Sequence, residues 1–323
     1  MTVRIVGALL SAVLVASTAG CVNVPSAGAV ASAKKDCVGA AALVNGCPLA
    51  EDGEFAPTPD RAGSDYRGNG NKEGCWTDVN FKTFKSCSFG SKKAKYTIAL
   101  VGNSHMAQHL KSFTNWTQRY DLRVVTFLIP QCFATEARID FSGRKDPEGL
   151  SKRCYDWGQW AQKKAAALDP DLIVTSERTY REPVKTLPAG KDATWRKGYR
   201  DYFAPWIRGG HRLVVVRDNP VPEYDVPACL KKNPKRYSTC AGKRDRWVPP
   251  DPVVQAAQSF DSKLVDVLDM TKYMCDDRRC PAVIGGLSVY RDHSHMSGTW
   301  IASLEQFFEP AFMKVLGARP AQT

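Results

Sequence analysis

The fold of this chain is decided by one stretch, Tyr96-Thr97-Ile98-Ala99-Leu100-Val101-Gly102-Asn103-Ser104-His105-Met106. It begins as a short apolar run that stops at Gly102, a pattern typical of a strand buried on both faces. Apolar residues then recur at i, i+4 and i+7 (Met106, Leu110 and Phe113), which predicts an amphipathic helix. The stretch therefore predicts a buried strand that turns directly into a helix.

The same alternation continues along the chain. Four more strands are predicted by apolar runs at 122–129, 171–175, 212–216 and 264–268. Helical patterns lie around Trp157 and over 298–316. Strands that alternate with helices favour an α/β fold in three layers, α/β/α, with a central parallel sheet of about five strands. In such sheets, ligands bind beyond the carboxyl ends of the strands.

The first segment, 1–33, has the pattern of an export signal followed by a tether. Arg4 precedes an apolar run over 5–19, and this run is shorter than the roughly 20 residues that a membrane span needs. Thr18-Ala19-Gly20-Cys21 is similar to a bacterial lipobox, which would put a lipid anchor on Cys21; the alternative is cleavage at a small-x-small site such as Ala27-Gly28-Ala29. We therefore expect an exported bacterial protein, extracellular or attached to the outer face of the cytoplasmic membrane.

Two further segments follow the signal. Segment 34–92 carries four cysteines and shows little periodicity, which indicates a disulfide-rich, irregular lead-in. Segment 93–323 holds the alternating strands and helices and is interpreted as the α/β domain.

The cysteines support export. The chain has eleven, and setting Cys21 aside leaves an even number, ten, which indicates disulfides in an exported protein. Sequence alone does not fix the connectivity. The shortest loops favour the pairs Cys37–Cys47, Cys75–Cys87, Cys132–Cys154, Cys229–Cys240 and Cys275–Cys280.

A metal or cofactor is not expected. The chain has no CxxC, and its five histidines do not stand at ligand spacing with the cysteines. His105 and His109 share a helix at i, i+4, a spacing that can bind a metal, but no third ligand accompanies them.

The net charge of +12 bears on partners. An anionic envelope polymer or membrane surface fits such a charge, and the alternative is that scattered Lys and Arg are simply solvated surface. Nucleic acid is not expected as a partner of an exported protein.

Two stretches carry the chemistry. Ser104 stands where the first strand turns into a helix, so its hydroxyl projects above the sheet near helix-start amides that can stabilise an oxyanion. The alternative is a serine that only caps the helix. Before the last helix, Asp292 precedes His295 by three residues, so the carboxylate can orient one ring nitrogen and leave the other for a serine hydroxyl.

The second stretch has alternatives of its own. The segment around Asp292 could be a surface loop in which Ser297 caps the helix, and His293 is an alternative base. A neighbouring carboxylate favours the imidazolium form, so the sequence predicts a pKa for His295 above the free-histidine value of about 6.5.

Together these stretches resemble blocks I and V of SGNH hydrolases. More narrowly, the chain resembles the extracytoplasmic SGNH domain that is fused to acyltransferase-3 membrane proteins, which move acyl groups onto envelope glycans. The passages that carry the resemblance are 36–43, 99–105, 216–220 with 226–229, 269–275 with 280–286, and 292–296.

The resemblance implies an SGNH/flavodoxin-like fold and a catalytic triad of Ser104, Asp292 and His295. Two departures stand out. The family has an acidic residue before the nucleophile, where this chain has Asn103. The membrane domain that the family carries upstream is replaced here by a signal segment, so we expect a stand-alone exported protein.

The oxyanion hole is harder to locate. In SGNH enzymes, groups from the loops after the second and third strands join the nucleophile's amide, and here those loops lack the usual Gly or Gly-x-Asn. Gly102, Asn103, Ser176 and Arg178 are the oxyanion or substrate candidates near strand ends. Asn219 is a further candidate, and its alternative role is to stabilise a turn with Pro220.

The sequence thus predicts a serine acyltransferase or esterase at the cell envelope. Ser104 attacks an acyl group, His295 takes its proton, and the acyl group passes to a sugar hydroxyl or to water. The resemblance favours a transferase that works with a separate membrane-bound acyltransferase on an envelope glycan. The alternatives are a secreted carbohydrate esterase and a catalytically silent glycan-binding module.

Overall fold

A computed structural model describes residues 37–66 and 74–319, which form one compact unit. The predicted signal segment 1–33 and the lipidation candidate Cys21 lie outside the described residues. Within the described ranges, no helix combines the length and the apolar character that crossing a membrane requires.

A six-stranded sheet forms the centre of the unit. In chain order its strands are β1 (Cys87–Phe89), β2 (Tyr96–Gly102), β3 (Leu122–Leu128), β4 (Leu172–Ser176), β5 (Leu213–Val216) and β7 (Val265–Leu268). Their order across the sheet is β1-β3-β2-β4-β5-β7. All neighbours pair in parallel except β1, which runs antiparallel to β3 at the edge. The predicted α/β fold with a central parallel sheet is confirmed, and the edge strand is an addition.

Ten α-helices accompany the sheet in the described ranges, together with two short 3₁₀ helices, Tyr237–Cys240 and Thr271–Tyr273. The α-helices are α1 (Ala40–Val44), α2 (Pro59–Ala62), α3 (Ser104–Ala107), α4 (Leu110–Trp116), α5 (Pro147–Ala166), α6 (Lys191–Arg208), α7 (Val226–Lys232), α8 (Arg244–Trp247), α9 (Pro252–Gln258) and α10 (Gly298–Leu316). The helix that we predicted after Ser104 is divided into α3 and α4, which meet at Gln108 and His109.

Alternate residues of the strands enter two separate cores. On one face, Leu100 and Val174 pack with α4 and α10 through Phe113 and Phe308. On the other face, Val101 packs with α5, α6 and α9. The strands can be apolar throughout because helices cover both faces, which is the arrangement expected for a parallel sheet.

Short strands build two small ribbons outside the main sheet. One pairs β6 (Gly242–Lys243) with β8 (Arg279–Cys280), and the other pairs β9 (Val283–Ile284) with β10 (Leu287–Ser288).

The segment before the main sheet is attached to the C-terminal part of the chain. The amide of Gly39 donates to the carbonyl of Gly285 at 3.0 Å, and the amide of Ala40 donates to Ser303 Oγ on α10 at 3.2 Å. The carbonyl of Asp65 accepts from the amide of Gly298 at 2.8 Å, at the start of α10. The predicted lead-in therefore contributes contacts to the α/β fold itself.

Five disulfides join the ten cysteines in the predicted pairs, Cys37–Cys47, Cys75–Cys87, Cys132–Cys154, Cys229–Cys240 and Cys275–Cys280. Each closes a short loop, of between 5 and 22 residues in sequence separation. Such a framework is typical of proteins that mature in an oxidising compartment.

We expect thiol titration of the denatured, unreduced protein to find none of these ten cysteines free. Reduction should lower the melting temperature markedly, because a native disulfide typically contributes about 2–4 kcal/mol. Four or more free thiols among the ten would contradict this framework.

Candidate active site

Ser104 is the first residue of α3, directly beyond the carboxyl end of β2, and its side chain is partly exposed. The helix is capped not by Ser104 but by Asn103, whose Oδ1 accepts the amide of His105 at 2.9 Å. Its Nδ2 donates to the carbonyl of Arg178 at 3.3 Å. Asn103, which stands where the resembled family has an acidic residue, therefore caps the helix. The hydroxyl of Ser104 is not used as the helix cap and is available for another role.

Gly102 has a φ of 156°, and a Cβ at this position would lie 2.8 Å from Met106 Cβ and 2.9 Å from the carbonyl oxygen of Ser176. Only glycine fits both the close approach and the backbone angle. The structure supports a packing role for Gly102: it lets the end of β2 lie against the end of β4, where Gly102 pairs in register with Ser176.

Asp292 holds the His295 ring on one side. His295 Nδ1 lies 2.9 Å from Asp292 Oδ2 and 3.1 Å from Oδ1. The backbone amides of Ser294 and His295 also donate to Asp292 Oδ1, at 2.8 and 2.7 Å. The opposite ring nitrogen, Nε2, is buried and has no hydrogen-bond partner in the part of the chain that the structure describes. His293 is exposed.

This geometry has the two features that a general base needs. The carboxylate fixes Nδ1–H, so that the lone pair of Nε2 is available to a proton donor. The position of His293 on the surface makes His295 the better assignment for the base.

Burial changes the electrostatics that we expected for the pair. Although burial raises the pKa of Asp292, the hydrogen bonds from His295 and Ser294 outweigh it and lower that pKa below its ordinary value. For His295, burial lowers the pKa to about 4, and the neighbouring His105 adds to this, while Asp292 opposes it. The prediction of a raised pKa for His295 is therefore wrong, because desolvation of the charged ring exceeds the attraction of the carboxylate.

Two amide side chains hold the backbone on both sides of His295. Asn219 Nδ2 donates to the carbonyl of Ser294 at 2.9 Å and to that of Pro220 at 3.0 Å. Gln108 Oε1 accepts the amide of Met296 at 3.0 Å, and Gln108 Nε2 donates to Asn219 Oδ1, also at 3.0 Å. The Asn219–Gln108 clamp therefore connects the helical turn of Ser104 to the loop of His295.

The clamp bears on the role of Asn219. Both hydrogen atoms of its amide are directed at carbonyl oxygens, which supports the alternative in which Asn219 stabilises a turn with Pro220. It is less suited to stabilise an oxyanion. The remaining oxyanion candidates after β4 are Ser176, fully buried with an Oγ that lacks a partner among the described residues, and Arg178, which is half-buried.

A buried histidine lies between the two stretches. His105, next to Ser104, is only 2% exposed, and its ring centroid lies 4.6 Å from that of His295. Its Nδ1 lies 2.5 Å from Asp218 Oδ1, at the end of β5. The stretch that carries Ser104 is therefore in direct contact with His295, through the ring of His105.

Two spaces open at this place. A small cavity of ≈ 20 Å³ is lined by Ser104, Gln108, Met296 and the exposed Tyr66, among others. A larger cleft of ≈ 260 Å³ begins at Asp218 and Asn219 and is lined further out by Arg178, Tyr180 and Arg246.

No group of three or more His, Cys, Asp or Glu side chains within the described ranges is arranged to hold a metal ion. His109, the partner of His105 in the i, i+4 pair, is buried against the ring of Phe308, with ring centroids 5.2 Å apart.

Sequence reasoning missed three polar residues of the site. These are Gln108, Asp218 and Glu177. Glu177 is buried beside Asn103 and accepts a hydrogen bond from the amide of Ala134 at 3.0 Å. Burial raises the pKa of Glu177 well above its ordinary value. Asp218 and Glu177 follow strand ends, so the strand-end rule would have identified both, whereas nothing in the sequence singles out Gln108.

We expect the rate of acyl-ester turnover at low substrate to rise with pH through a midpoint of about 4, because the base acts only when His295 is neutral and burial lowers its pKa to that value. Below the midpoint the rate should fall about tenfold for each pH unit. Measuring kcat/KM or the rate of fluorophosphonate labelling from pH 3 to 9 tests this. A tenfold rise per unit between pH 5 and 6 would contradict it.

The comparisons with known proteins concern the family and the fold. A sequence model of the family described as "SGNH domain (fused to AT3 domains)" matches residues 73–310. Among solved structures, the chain is similar to the periplasmic domain of a lipopolysaccharide acetyltransferase from Salmonella ser. Paratyphi A, with a TM-score of 0.50 and 10% sequence identity over 69% of this chain and 85% of that chain. At this identity the likeness shows a shared fold. No curated protein matches the sequence.

Proposed function

Since this chain belongs to the family of SGNH domains that are fused to AT3 domains, we propose that it is a serine enzyme that handles O-acyl esters, and O-acetyl esters above all, on glycans of the cell envelope. In this proposal Ser104 is the nucleophile, His295 the general base and Asp292 its orienting carboxylate.

One observation carries the proposal. The Asp292 carboxylate lies 2.9 Å from His295 Nδ1, while Nε2 is buried and without a partner among the described residues. The ring packs against His105, the residue after Ser104. A serine hydroxyl has too high a pKa to be a nucleophile near neutrality, and a base held in this way is what activates it.

The steps follow from the same residues. His295 Nε2 takes the proton of Ser104 Oγ as the oxygen attacks the acyl carbon, and the negative charge that develops on the carbonyl oxygen is met by the backbone amide of Ser104, since the amides of His105 and Met106 already donate to Asn103. His295 then returns the proton to the leaving oxygen. The acyl group remains on Ser104 until an acceptor hydroxyl, activated by the same His295, removes it.

We propose a sugar hydroxyl as that acceptor and a separate membrane-bound acyltransferase as the donor. The family carries such a membrane domain in the same chain, and the solved neighbour is the periplasmic domain of an acetyltransferase. The five disulfides support a location in an oxidising, extracytoplasmic compartment.

Hydrolysis is the second candidate, because Ser104 is partly exposed, so water can reach an acyl group that it carries. The two are separated by incubating purified protein with p-nitrophenyl acetate, with and without an oligosaccharide acceptor. For a transferase we expect acetylated oligosaccharide by mass spectrometry; for an esterase, free acetate alone. Equal turnover by wild type and Ser104→Ala would reject both enzymes in favour of the glycan-binding module.

A further inference from the structure

A second histidine–carboxylate pair lies behind the first. His105 and Asp218 come from the ends of different strands, β2 and β5, and meet at 2.5 Å between Nδ1 and Oδ1. Both side chains are nearly inaccessible, with 3% and 10% of their surface exposed. Placing a histidine and a carboxylate together inside a protein is costly unless each satisfies the other.

The pair is fixed from several directions. The amide of His105 is held by Asn103 Oδ1, and Asp218 Oδ1 also accepts the amide of Asn219 at 2.9 Å. The amide of Asp218 donates to Asp251 Oδ2 at 3.3 Å, and Asp251 caps α9. The His105 ring therefore has little freedom to turn.

His295 packs on this fixed ring. The two imidazole planes are tilted by 31° and their centroids lie 4.6 Å apart. The Asn219–Gln108 clamp fixes only the backbone around His295, and Asp292 contacts only the Nδ1 edge. The face of the ring is thus supported by His105.

We propose that His105 and Asp218 are positioning residues for the general base: they hold the face of the His295 ring so that Nε2 is directed at Ser104, and they place a buried carboxylate near the imidazolium that forms. This inference rests on the proposed function. No proton passes through the pair, since the proton of Ser104 goes to His295 Nε2 and from there to the leaving group.

Burial raises the pKa of Asp218 and lowers the pKa of His105. The titratable and charged groups that face the pair are Arg178, Arg217, Glu177, Asp251, Arg291, Asp292, His109 and His295. The carboxylate form of Asp218 favours the imidazolium of the transition state.

Two substitutions test the proposal. Asp218→Asn keeps the shape but removes the charge, and His105→Asn keeps a donor for Asp218 but removes the ring. Each should lower kcat for p-nitrophenyl acetate by about 10- to 100-fold, because loss of orientation at the reacting group costs this much, with KM within twofold of wild type.

The matched control is His109→Phe, which replaces a buried histidine five residues after Ser104 and keeps the aromatic contact with Phe308. It should retain wild-type kcat. Values of kcat within twofold of wild type for both test variants would overturn the proposal, as would an equal loss in the control. Melting temperatures show which variants fold. If one of the two test variants does not fold, the kcat of the other decides the proposal.

A readout without turnover separates this inference from the proposed function. In Ser104→Ala protein labelled with ¹⁵N-histidine, the His295 ring signals should shift or broaden on adding Asp218→Asn and stay unchanged on adding His109→Phe. Unchanged signals with Asp218→Asn would overturn the positioning role. If wild type shows no turnover that depends on Ser104, the proposed function is rejected. The histidine spectrum would then still decide whether His105 and Asp218 position the His295 ring.

Discussion

Alanine in place of Ser104 is expected to abolish labelling by a fluorophosphonate probe and to lower kcat for acyl esters by about 10⁴- to 10⁶-fold, the loss that follows removal of a serine nucleophile. Ser104 stands at a strand-to-helix turn, next to His105, whose ring packs on that of His295. The fold should be retained, because Ser104 is partly exposed and the helix that it begins is capped by Asn103. Gel fluorescence after labelling and the melting temperature measure the two effects.

Ser151→Ala provides a matched control, since Ser151 is buried on α5 and its Oγ has no partner among the described residues. This control should label like wild type. If Ser104→Ala is labelled to the same extent as wild type, Ser104 is not the nucleophile.

Loss of His295 is the second large effect. His295→Ala should lose about 10²- to 10⁴-fold in kcat, because the base moves a proton in every step. Asp292→Asn should be less damaging, or comparably so if the amide fixes the wrong tautomer. The double variant Ser104→Ala/His295→Ala should be scarcely worse than Ser104→Ala alone, since residues that act as a unit do not lose activity additively.

His293→Ala separates the two histidines of the loop and should leave activity unchanged, because its side chain is exposed. Loss of activity in His293→Ala with activity kept in His295→Ala would show that the wrong histidine has been assigned. If both variants keep their activity, neither histidine is the base, and the loop serves only to lead into the last helix. There, Ser297 Oγ accepts a hydrogen bond from the amide of Trp300 at 3.0 Å.

The strands of the sheet were predictable because both of their faces are buried. β2 is apolar from Ile98 to Val101, and β3 is apolar except for Arg123 and Thr126; a run of this kind has few alternatives when a helical pattern follows it. The last helix was predicted with its observed bounds, Gly298–Leu316, from its apolar face. β1 was missed because it has three residues, lies at the edge and is only partly buried, so it leaves no periodic signal.

The candidate site was predictable where it is local in sequence. Asp292 and His295 are three residues apart, and their contact needs no knowledge of the tertiary fold. The contacts that support them are not local: 113 residues separate His105 from Asp218, and 188 separate Gln108 from Met296. The prediction for the pKa of His295 was wrong for the same reason, because the burial of this ring depends on elements that are distant in the chain.

The attachment of the first described residues to the last helix has a consequence for biosynthesis. A ribosome delivers Ala40 long before its partner Ser303, 263 positions later. At a synthesis rate of about 5–20 residues per second, the interval is roughly 10–50 s. During that time the helix Ala40–Val44, which lies inside the Cys37–Cys47 loop, has no docking surface. Folding cannot be completed from the N-terminus onward, and nascent chains that end before residue 298 should remain open to chaperones and proteases.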